Sequence, residues 1–459
     1  MDRRNQSIIN CFLFKKNNKI TYTFNFIFTT LGIKHQFVNS INDADVCYGV
    51  TSKDKLTIPF NENDIIDNQL LSNNINYQNK AIQFDIINAI YNFLSDKVNS
   101  EYNHEDLDQH DRITYINSFQ KKNKIGKFPI INIYIKFLKD WLNTHLQLNF
   151  NNIYPKGKKA TIILSHDVDN PGKYDSIINY NLFPKTINLK NLYKHFRFYL
   201  GTVKVMILDK ERDENWNFYK IHSQESKYNF KSTYFFATVN NQSREGHKLD
   251  VPYVIRKKKY KKVIQFLKKN NQSIGLHASY NAYKKSNNFN TEKHNLKKVS
   301  NSEIDGIRHH YWHLGSNIEQ TLLMHEKNGF RYDSSLAFNN HLGFRYNIAF
   351  PFFPYSQKED RPIKVLQLPV FCMDGNLFRN STIDPESALS IIKDYIKVIK
   401  DLGGTGVIDW HINTSFPGGK TFKNWGACYQ LLLKELSLDT EIWVTDCEDF
   451  TEWWLNKKM

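Results

Sequence analysis

The sequence has few cysteines, and their spacing fits neither a disulfide framework nor a cysteine-bound zinc. The five cysteines are odd in number, and no two of them form a C-x-x-C pair. Small disulfide-stapled domains and zinc ribbons depend on closely spaced cysteines. Both classes of protein are therefore excluded.

Long apolar runs are also missing. Residues 8–14 are apolar but too short for a secretory core, and Lys15 and Lys16 follow without a small-residue cleavage pattern. Residues 20–33 contain several threonines and an asparagine, whereas a membrane span needs about 20 mostly apolar residues. We therefore expect a cytoplasmic protein without a membrane span.

Neither a G-x-G-x-x-G motif nor a P-loop occurs, and there are no internal repeats. The formal charge of +16 comes from 62 Lys and Arg against 46 Asp and Glu, spread along the whole chain. This spread indicates compositional bias, so we expect no nucleic-acid partner. The lysines within residues 256–262 could contact an anionic glycan or a membrane surface, but a solvated helix face is the favoured interpretation.

The chain has 459 residues, 41% of them hydrophobic, enough for two or three packed domains. Residues 1–110 predict a small α/β domain, with a helix over 22–31, strands at 45–50 and 56–60, and a helix over 82–94. Residues 111–153 predict a linker and a connecting helix that begins after Pro129. Residues 154–459 predict the main domain.

In the main domain strands and helices alternate, which favours a parallel sheet covered by helices. Strands are predicted at 161–166, 232–238, 273–277, 364–372, 405–411 and 441–445. Helices are predicted at 252–269, 385–402 and 421–436. Asp384, Pro385 and Gly403 are typical start and stop signals of the second helix, and residues 445–448 predict a capping box for a last helix.

Two carboxylates follow the most apolar of these strands. Asp167 and Asp169 come directly after residues 161–166, and ligands of α/β sheets bind beyond the carboxyl ends of the strands. Side chains at i and i+2 share one side of a strand, so two like charges would share a small space. A cation or a shared proton would relieve this repulsion, although an Asp-x-Asp pair can also simply end a strand.

Other chemistry-bearing residues follow later strands. His277 ends the strand at 273–277, His411 ends the strand at 405–411, and residues 306–313 place Arg308 among three histidines and two aromatic residues. Asp333 follows a break at Gly329. Each residue alone has an ordinary structural explanation, but their joint occurrence at strand ends of one domain is typical of an active site.

These motifs, in this order, resemble those of the polysaccharide deacetylase family, which has a NodB-type domain. The resemblance covers residues 160–459 and implies a deformed (β/α) barrel preceded by an additional N-terminal domain of unknown role. It also implies a divalent metal, Zn²⁺ being favoured. Asp167 matches the family's general base, while Asp169 and His277 match two metal ligands.

The remaining motifs match less closely. The family has a second histidine four residues after the first, where this chain has Asn281, so the third ligand is either Asn281 or a nearby histidine, His309 or His310. Arg308 resembles the arginine that holds the base, although the usual proline is absent. Asp333 resembles the acid that orients the catalytic histidine, and His411 resembles that histidine, the general acid.

The resemblance implies hydrolysis of the N-acetyl group of an amino sugar in a cell-surface polysaccharide or its precursor. A cytoplasmic location points toward a precursor. One alternative is another C–N hydrolase with the same domain, since loops set the substrate. The other is a non-catalytic glycan-binding module in which Asn281 marks a decayed metal site.

Overall fold

A computed structural model describes residues 8–61, 76–99, 102, 104–148, 150, 153–173, 192–193, 196, 200, 213–379, 382–418 and 422–457. It has two large sheets of mainly parallel strands with helices packed against them, and a small two-stranded antiparallel sheet. The predicted α/β class is confirmed: an N-terminal unit with its own sheet precedes a curled parallel sheet. Of the helices in the described ranges, none combines the length and apolar character needed to cross a bilayer.

The N-terminal unit contains a six-stranded sheet in the order β2-β1-β3-β4-β6-β5. Its strands are β1 (Ile9–Leu13), β2 (His35–Val38), β3 (Val46–Tyr48), β4 (Leu56–Ile58), β5 (Tyr77–Gln78) and β6 (Ala81–Ile82). Its helices are α1 (Asn18–Leu31), α2 (Ile86–Leu94), α3 (Phe119–Lys122) and α4 (Ile130–Leu146). The aromatic residues of α1 alternate as in a strand, but Asn17 caps its first turn and Gly32 ends it at φ 69°.

The connecting helix α4 packs against α1 and α2, so it belongs to the core of the N-terminal unit. It also holds this unit against the second one. The side chain of Asn132 accepts a hydrogen bond from the Ala349 backbone N–H and donates one to the Ala349 carbonyl oxygen.

The second unit contains a nine-stranded sheet with β7 at its centre. The described strands of this unit are β7 (Ala160–Val168), β8 (Ser232–Phe236), β9 (Ser273–Ala278), β10 (Gly306–His309), β11 (Tyr332–Asp333), β12 (Tyr355–Ser356), β13 (Arg361–Pro362), β14 (Leu366–Gln367), β15 (Val370–Met373), β16 (Thr405–Asp409) and β17 (Ile442–Thr445). Its helices are α5 (Phe218–Ser226), α6 (Lys258–Lys269), α7 (Ser286–Ser300), α8 (Ile318–Lys327), α9 (Asp374–Phe378), α10 (Pro385–Asp401), α11 (Lys423–Leu438) and α12 (Cys447–Asn456).

The two edges of this sheet lie close together, which makes it a nearly closed barrel. Eight of its strands lie in the order β14-β11-β10-β9-β8-β7-β16-β15, the ninth, β17, pairs with β7, and β12 and β13 form a separate two-stranded sheet. Only Leu368 and Pro369 separate β14 from β15 along the chain. The sequence predicts one strand over 364–372. Pro369 lacks an N–H for the ladder, and its carbonyl accepts from Val407 while Leu368 donates to Asp333, so the strand is split where it passes between the two edges.

Other predicted elements match with shifted ends. Helix α6 begins at Lys258 rather than 252, because the Tyr253 hydroxyl accepts the backbone N–H of Ala237 and holds the preceding segment outside the helix. Helix α11 begins at Lys423, and residue 421, where the sequence places its start, lies outside the described residues. Asp446 alone caps α12, so the expected capping box with Thr445 is absent there.

Candidate metal and hydrolytic centre

The strand register brings the candidate residues to one edge of the barrel. Strand β9 is paired in parallel with β8 and β10, with His277 opposite Arg308, and β16 lies on the other side of β7 with Asp409 opposite Ser165. Carboxyl ends of parallel strands meet at the same edge of a sheet. His277, Arg308, Asp167 and Asp409 therefore face one cleft.

Asp169 lies among three imidazoles at this edge. Its Oδ1 is 3.0 Å from His277 Nε2, and its Oδ2 is 3.3 Å from both His310 Nε2 and His411 Nε2. Burial alone would raise the pKa of Asp169, but the attraction of His310 and the contacts with His277 and His411 hold this pKa well below its usual value. The carboxylate is therefore ionised and available as a ligand.

Asp169, His277 and His310 fit a divalent cation. Their ligand atoms lie within 4.8 Å of one another. Asp169 Oδ1 and His277 Nε2 are buried and close, yet neither has a well-directed hydrogen-bond partner among the described residues. Ligand atoms at zinc distances in a tetrahedral site are about 3.3 Å apart, and one carboxylate with two imidazoles leaves a position open. The orphaned atoms therefore fit a metal ligand set better than a hydrogen-bonded cluster.

Asn281, the position where the sequence departs from the resembling family, lies elsewhere in the loop. It is half-buried at the start of the short 3₁₀ helix Ala282–Lys284, and its carbonyl oxygen accepts from the Asn288 side chain. His310 stands next to Asp169 instead, directly after β10. Of the two alternatives that the sequence leaves open for the third ligand, the geometry favours His310.

Asp167 is held by the buried guanidinium of Arg308. Arg308 Nη1 donates to Asp167 Oδ1 and to Asp409 Oδ1, both at 2.9 Å, while its Nε and Nη2 donate to the Ser334 carbonyl and hydroxyl oxygens. Asp167 Oδ2 faces His277 Nε2 at 3.8 Å, beyond hydrogen-bonding distance. One oxygen of Asp167 is thus fixed, and the other faces the candidate metal ligands.

Asp409 is a further member of the site, inside the strand predicted at 405–411, and the sequence pattern alone assigned it no role. Its side chain is fully buried, and burial followed by the charge of Asp167 raises its pKa to about 7. Asp167, Asp409 and His411 form a second cluster with ligand atoms within 4.8 Å of one another. The positive guanidinium of Arg308 already contacts both carboxyl groups of this cluster and would repel a cation there, so the cluster is a poor place for a second metal.

His411 is oriented by Asp374, not by Asp333 as the resemblance implies. His411 Nδ1 donates to Asp374 Oδ1 at 2.9 Å, and its backbone N–H donates to Asp374 Oδ2 at 3.0 Å. Burial would lower the pKa of His411, but the Asp374 carboxylate raises it well above its usual value. The parallel register explains the contact, because Met373 is paired with Asp409 and the next residues are Asp374 and Trp410.

Asp333 belongs to a different buried cluster. Its Oδ1 accepts from the Ser335 hydroxyl, and its Oδ2 is 3.4 Å from His325 Nδ1. His325 Nε2 in turn lies 2.9 Å from His309 Nε2. This row of side chains ends at His309 of β10, next to Arg308. Among the described side chains there is no contact between Asp333 and His411.

The arrangement has the parts of a hydrolytic centre. A carboxylate with one free oxygen, Asp167, flanks the candidate ligands Asp169, His277 and His310. The partly buried imidazole of His411 contacts Asp169 Oδ2 and has a ring nitrogen within 4.8 Å of a carboxylate oxygen of Asp167. A base and a protonated acid placed about a cation suit attack of water on an acyl carbon followed by protonation of a leaving nitrogen or oxygen.

Comparisons with known proteins found one family model and several solved structures. Residues 9–147 match the model of a family of unknown function, DUF7033. No curated protein matches the chain. The chain is similar in fold to several solved structures. One is a putative polysaccharide deacetylase from Mycobacterium smegmatis, with 14% identity, a TM-score of 0.42, and coverage of 65% of this chain and 91% of that one.

Two further structures are similar at the same level. A probable polysaccharide deacetylase from Pseudomonas aeruginosa PAO1 has 11% identity and a TM-score of 0.44, covering 69% of this chain and 97% of that one. The PuuE allantoinase has 13% identity and a TM-score of 0.44, covering 67% of this chain and 94% of that one.

Proposed function

We propose that the protein is a metal-dependent hydrolase that removes the N-acetyl group of an amino sugar in a cell-surface polysaccharide or its precursor. The observation that carries the proposal is the placement of the Asp167 carboxylate and the His411 imidazole directly beside the Asp169, His277 and His310 group. The motif order along residues 160–459 supports the N-acetylated carbohydrate as substrate. A cytoplasmic location, which the sequence favours, would make a soluble precursor the substrate.

The metal would be held by Asp169, His277 and His310, with Zn²⁺ favoured by this donor set. When bound, a divalent cation supplies Lewis acidity for the acyl oxygen and for the attacking water. Three protein ligands would leave coordination positions open for the water and the acyl oxygen.

Asp167 would be the general base. Arg308 fixes its Oδ1, which leaves Oδ2 to accept the proton of the water nucleophile. His411 would be the general acid, since Asp374 keeps its imidazole protonated and aims Nε2 into the cleft. A proton delivered from Nε2 to the leaving amine completes cleavage of the amide.

The test is acetate release from N-acetylglucosamine oligomers and from the N-acetylglucosamine monosaccharide, measured before and after removal of metal with a chelator. We expect activity that is lost with the metal and restored by zinc. Asp167→Asn should keep the metal and lose turnover by about 10²- to 10⁴-fold, because an amide cannot accept the proton. His411→Ala should slow release over the same range.

Asp305→Asn is a matched control. Asp305 is also paired with an arginine, Arg331, at 3.0 Å, but it precedes β10 at the opposite end of the strand. Loss of the Asp305 charge should leave kcat within about twofold of the wild-type value. Sugar binding without acetate release in the zinc-loaded protein would instead support a glycan-binding module. Release from a non-sugar amide alone would support another C–N hydrolase.

A further inference from the structure

A turn that belongs to the N-terminal part of the chain reaches the rim of the candidate metal centre. Leu107 and Ile113 form an antiparallel bridge that closes residues 108–112 into a compact turn. Asp108 organises it: its Oδ1 accepts the backbone N–H groups of His110 and Arg112, at 2.9 and 3.2 Å. Its Oδ2 accepts Nε and Nη2 of Arg112 at 2.9 and 2.6 Å. These contacts therefore hold the guanidinium of Arg112 in one orientation.

The remaining nitrogen of Arg112 contacts the residue after a candidate metal ligand. Arg112 Nη1 donates to the carbonyl oxygen of Tyr311, which is 199 positions away in the sequence. Tyr311 and Trp312 have φ values of 60° and 54°, a left-handed conformation that is costly for bulky residues. A turn of this kind persists only when surrounding contacts hold it, and Arg112 supplies one of them directly beside His310.

His110 makes a second contact with the same rim. Its Nδ1 is 2.8 Å from the hydroxyl of Tyr280, three residues after His277, and its ring centroid is 5.0 Å from that of Tyr311. Tyr280 is in turn tied to the turn after β10, since its carbonyl oxygen lies 2.9 Å from His313 Nδ1. The loops that follow β9 and β10 are thus joined to each other and to the turn at 108–112.

We propose that Arg112 and His110 are positioning residues of the metal centre: Arg112 fixes the turn that presents His310, and His110 fixes the loop that follows His277. The inference rests on the proposed function only in treating this site as a metal centre. It assigns a role to the N-terminal part of the chain, which completes the site of the barrel instead of forming a separate module.

A second consequence concerns substrate. The Tyr311 ring is half-buried, and it lies next to His310, with ring centroids 4.7 Å apart. The turn at 108–112 therefore holds an aromatic face at the edge of the cleft, where it can stack on the apolar face of a sugar ring. Loss of the Arg112 contact should for this reason raise KM for a sugar substrate as well as weaken metal binding.

The experiment uses the full-length protein and Arg112→Met, which keeps the length of the side chain and removes its donors. Zinc affinity is measured by competition with a chelator at fixed pH, and the absorption spectrum of the cobalt-loaded protein reports ligand geometry. We expect the zinc dissociation constant to rise about tenfold or more, a change worth about 1.4 kcal/mol. Arg112→Lys should restore much of the affinity, because it keeps one donor.

Arg331→Met is the matched control, since Arg331 is paired with Asp305 and Glu452 far from this turn. It should leave zinc affinity and the cobalt spectrum unchanged. His110→Gln provides a second test should Arg112→Met fail to fold, and it should shift the cobalt spectrum and weaken zinc binding in the same direction.

Zinc affinity within twofold of wild type in the folded Arg112→Met or His110→Gln protein, with an unaltered cobalt spectrum, would overturn the inference. Weakened zinc binding in proteins that never release acetate from any sugar would uphold the positioning role and contradict the proposed function. Weakened binding together with a raised KM for N-acetylglucosamine oligomers would support both.

Discussion

His411 and Asp374 share two hydrogen bonds, one through the imidazole Nδ1 and one through the His411 backbone N–H. The Thr414 hydroxyl also donates to this carboxylate. Burial would raise the pKa of Asp374, but the charge of His411 and these hydrogen bonds lower it. An ionised Asp374 thus stabilises the charged imidazole that a general acid requires.

Replacing Asp374 with Asn should narrow the pH range of activity from the alkaline side. Asp374 raises the pKa of His411, so the wild-type imidazole stays protonated as the pH rises. Without that charge, His411 loses its proton at lower pH, and the alkaline limb of kcat/KM moves to lower pH. At the optimum kcat should fall about 10²-fold, measured as acetate release across a pH series.

Asp333→Asn is the control for this prediction. Asp333 contacts Ser335 and His325, not His411, so the alkaline limb should stay at its wild-type position even if the protein becomes less stable. A thermal melt separates the two effects. An alkaline limb that moves with Asp333→Asn and stays fixed with Asp374→Asn would return the orienting role to Asp333.

The third metal ligand can be identified by zinc titration of two variants. His310→Ala removes an imidazole that lies 3.3 Å from Asp169 Oδ2, so zinc affinity should fall about tenfold or more. Asn281→His adds an imidazole at a half-buried position near the Asn288 side chain and should leave the affinity within twofold. Asp169→Ala should abolish tight binding altogether.

Titrations at one fixed pH are needed, because ligand protonation shifts metal affinity. Tighter zinc binding by Asn281→His, with no loss in His310→Ala, would show that the loop at 281 supplies the ligand. Unchanged affinity in all three variants would remove this metal site.

Much of the barrel could be predicted because its long strands are apolar throughout. Strand β7 is buried at every position, and the helix signals at Asp384 and Pro385 reproduce the start of α10. The acids and histidines that directly follow such strands could therefore be placed at one edge. Strands β10 and β11 were missed because they are short and carry Arg308, His309 and Asp333, whose charges resemble a surface turn in sequence.

The partners of the site residues were harder to predict, because the register of neighbouring strands brings them together, whereas their spacing along the sequence does not show it. Asp374 precedes His411 by 37 positions and reaches it only through the pairing of β15 with β16. His310 was one of several histidines in a crowded stretch, and the positive φ of Tyr311 and Trp312 decides which way the chain turns after β10. No local pattern in the sequence encodes either feature.

Arg308→Met should strongly destabilise the fold. The guanidinium is fully buried between Asp167 and Asp409, so its loss leaves the Asp167 carboxylate without a counter-charge and raises the pKa of the neighbouring Asp409, already about 7, further. Breaking a buried pair in this way costs about 3–5 kcal/mol of the free energy of unfolding. Urea denaturation of the metal-free wild-type and Arg308→Met proteins at pH 7 measures this loss of stability.

The Arg308→Met, Asp409→Asn double variant should recover part of this loss, since it removes the carboxyl group that must otherwise stay protonated beside Asp167 at pH 7. Recovery would identify charge burial as the cause. Equal destabilisation of the single and double variants would instead point to lost packing over the Phe235 ring, whose centroid lies 4.3 Å from the guanidinium carbon.

The N-cap of α12, Asp446, should make the free energy of unfolding depend on pH, and one substitution should remove this dependence. Its Oδ1 accepts the Asp449 N–H at 2.8 Å and its Oδ2 accepts the Ser273 hydroxyl at 2.9 Å, but burial raises its pKa to about 7. In the unfolded chain the carboxyl ionises near its ordinary value, so the folded state holds its proton longer. Stability should therefore fall as the pH rises from about 4 to about 7.

Asp446→Asn has no titratable group, and its amide oxygen can still accept the Asp449 N–H because asparagine caps helices as well as aspartate does. Its amide nitrogen can donate to the Ser273 hydroxyl oxygen, with the direction of that hydrogen bond reversed. The gain in the free energy of unfolding over wild type should be near zero at pH 4 and grow up to pH 7. At about 1.4 kcal/mol for each pKa unit, its upper limit is about 4 kcal/mol. Asp384→Asn replaces the exposed N-cap of α10, where the Ser387 N–H lowers the aspartate pKa, and should show no such gain. Urea midpoints measured from pH 4 to pH 8 decide the matter, and parallel curves for wild type and Asp446→Asn would mean that Asp446 is ionised in the folded protein.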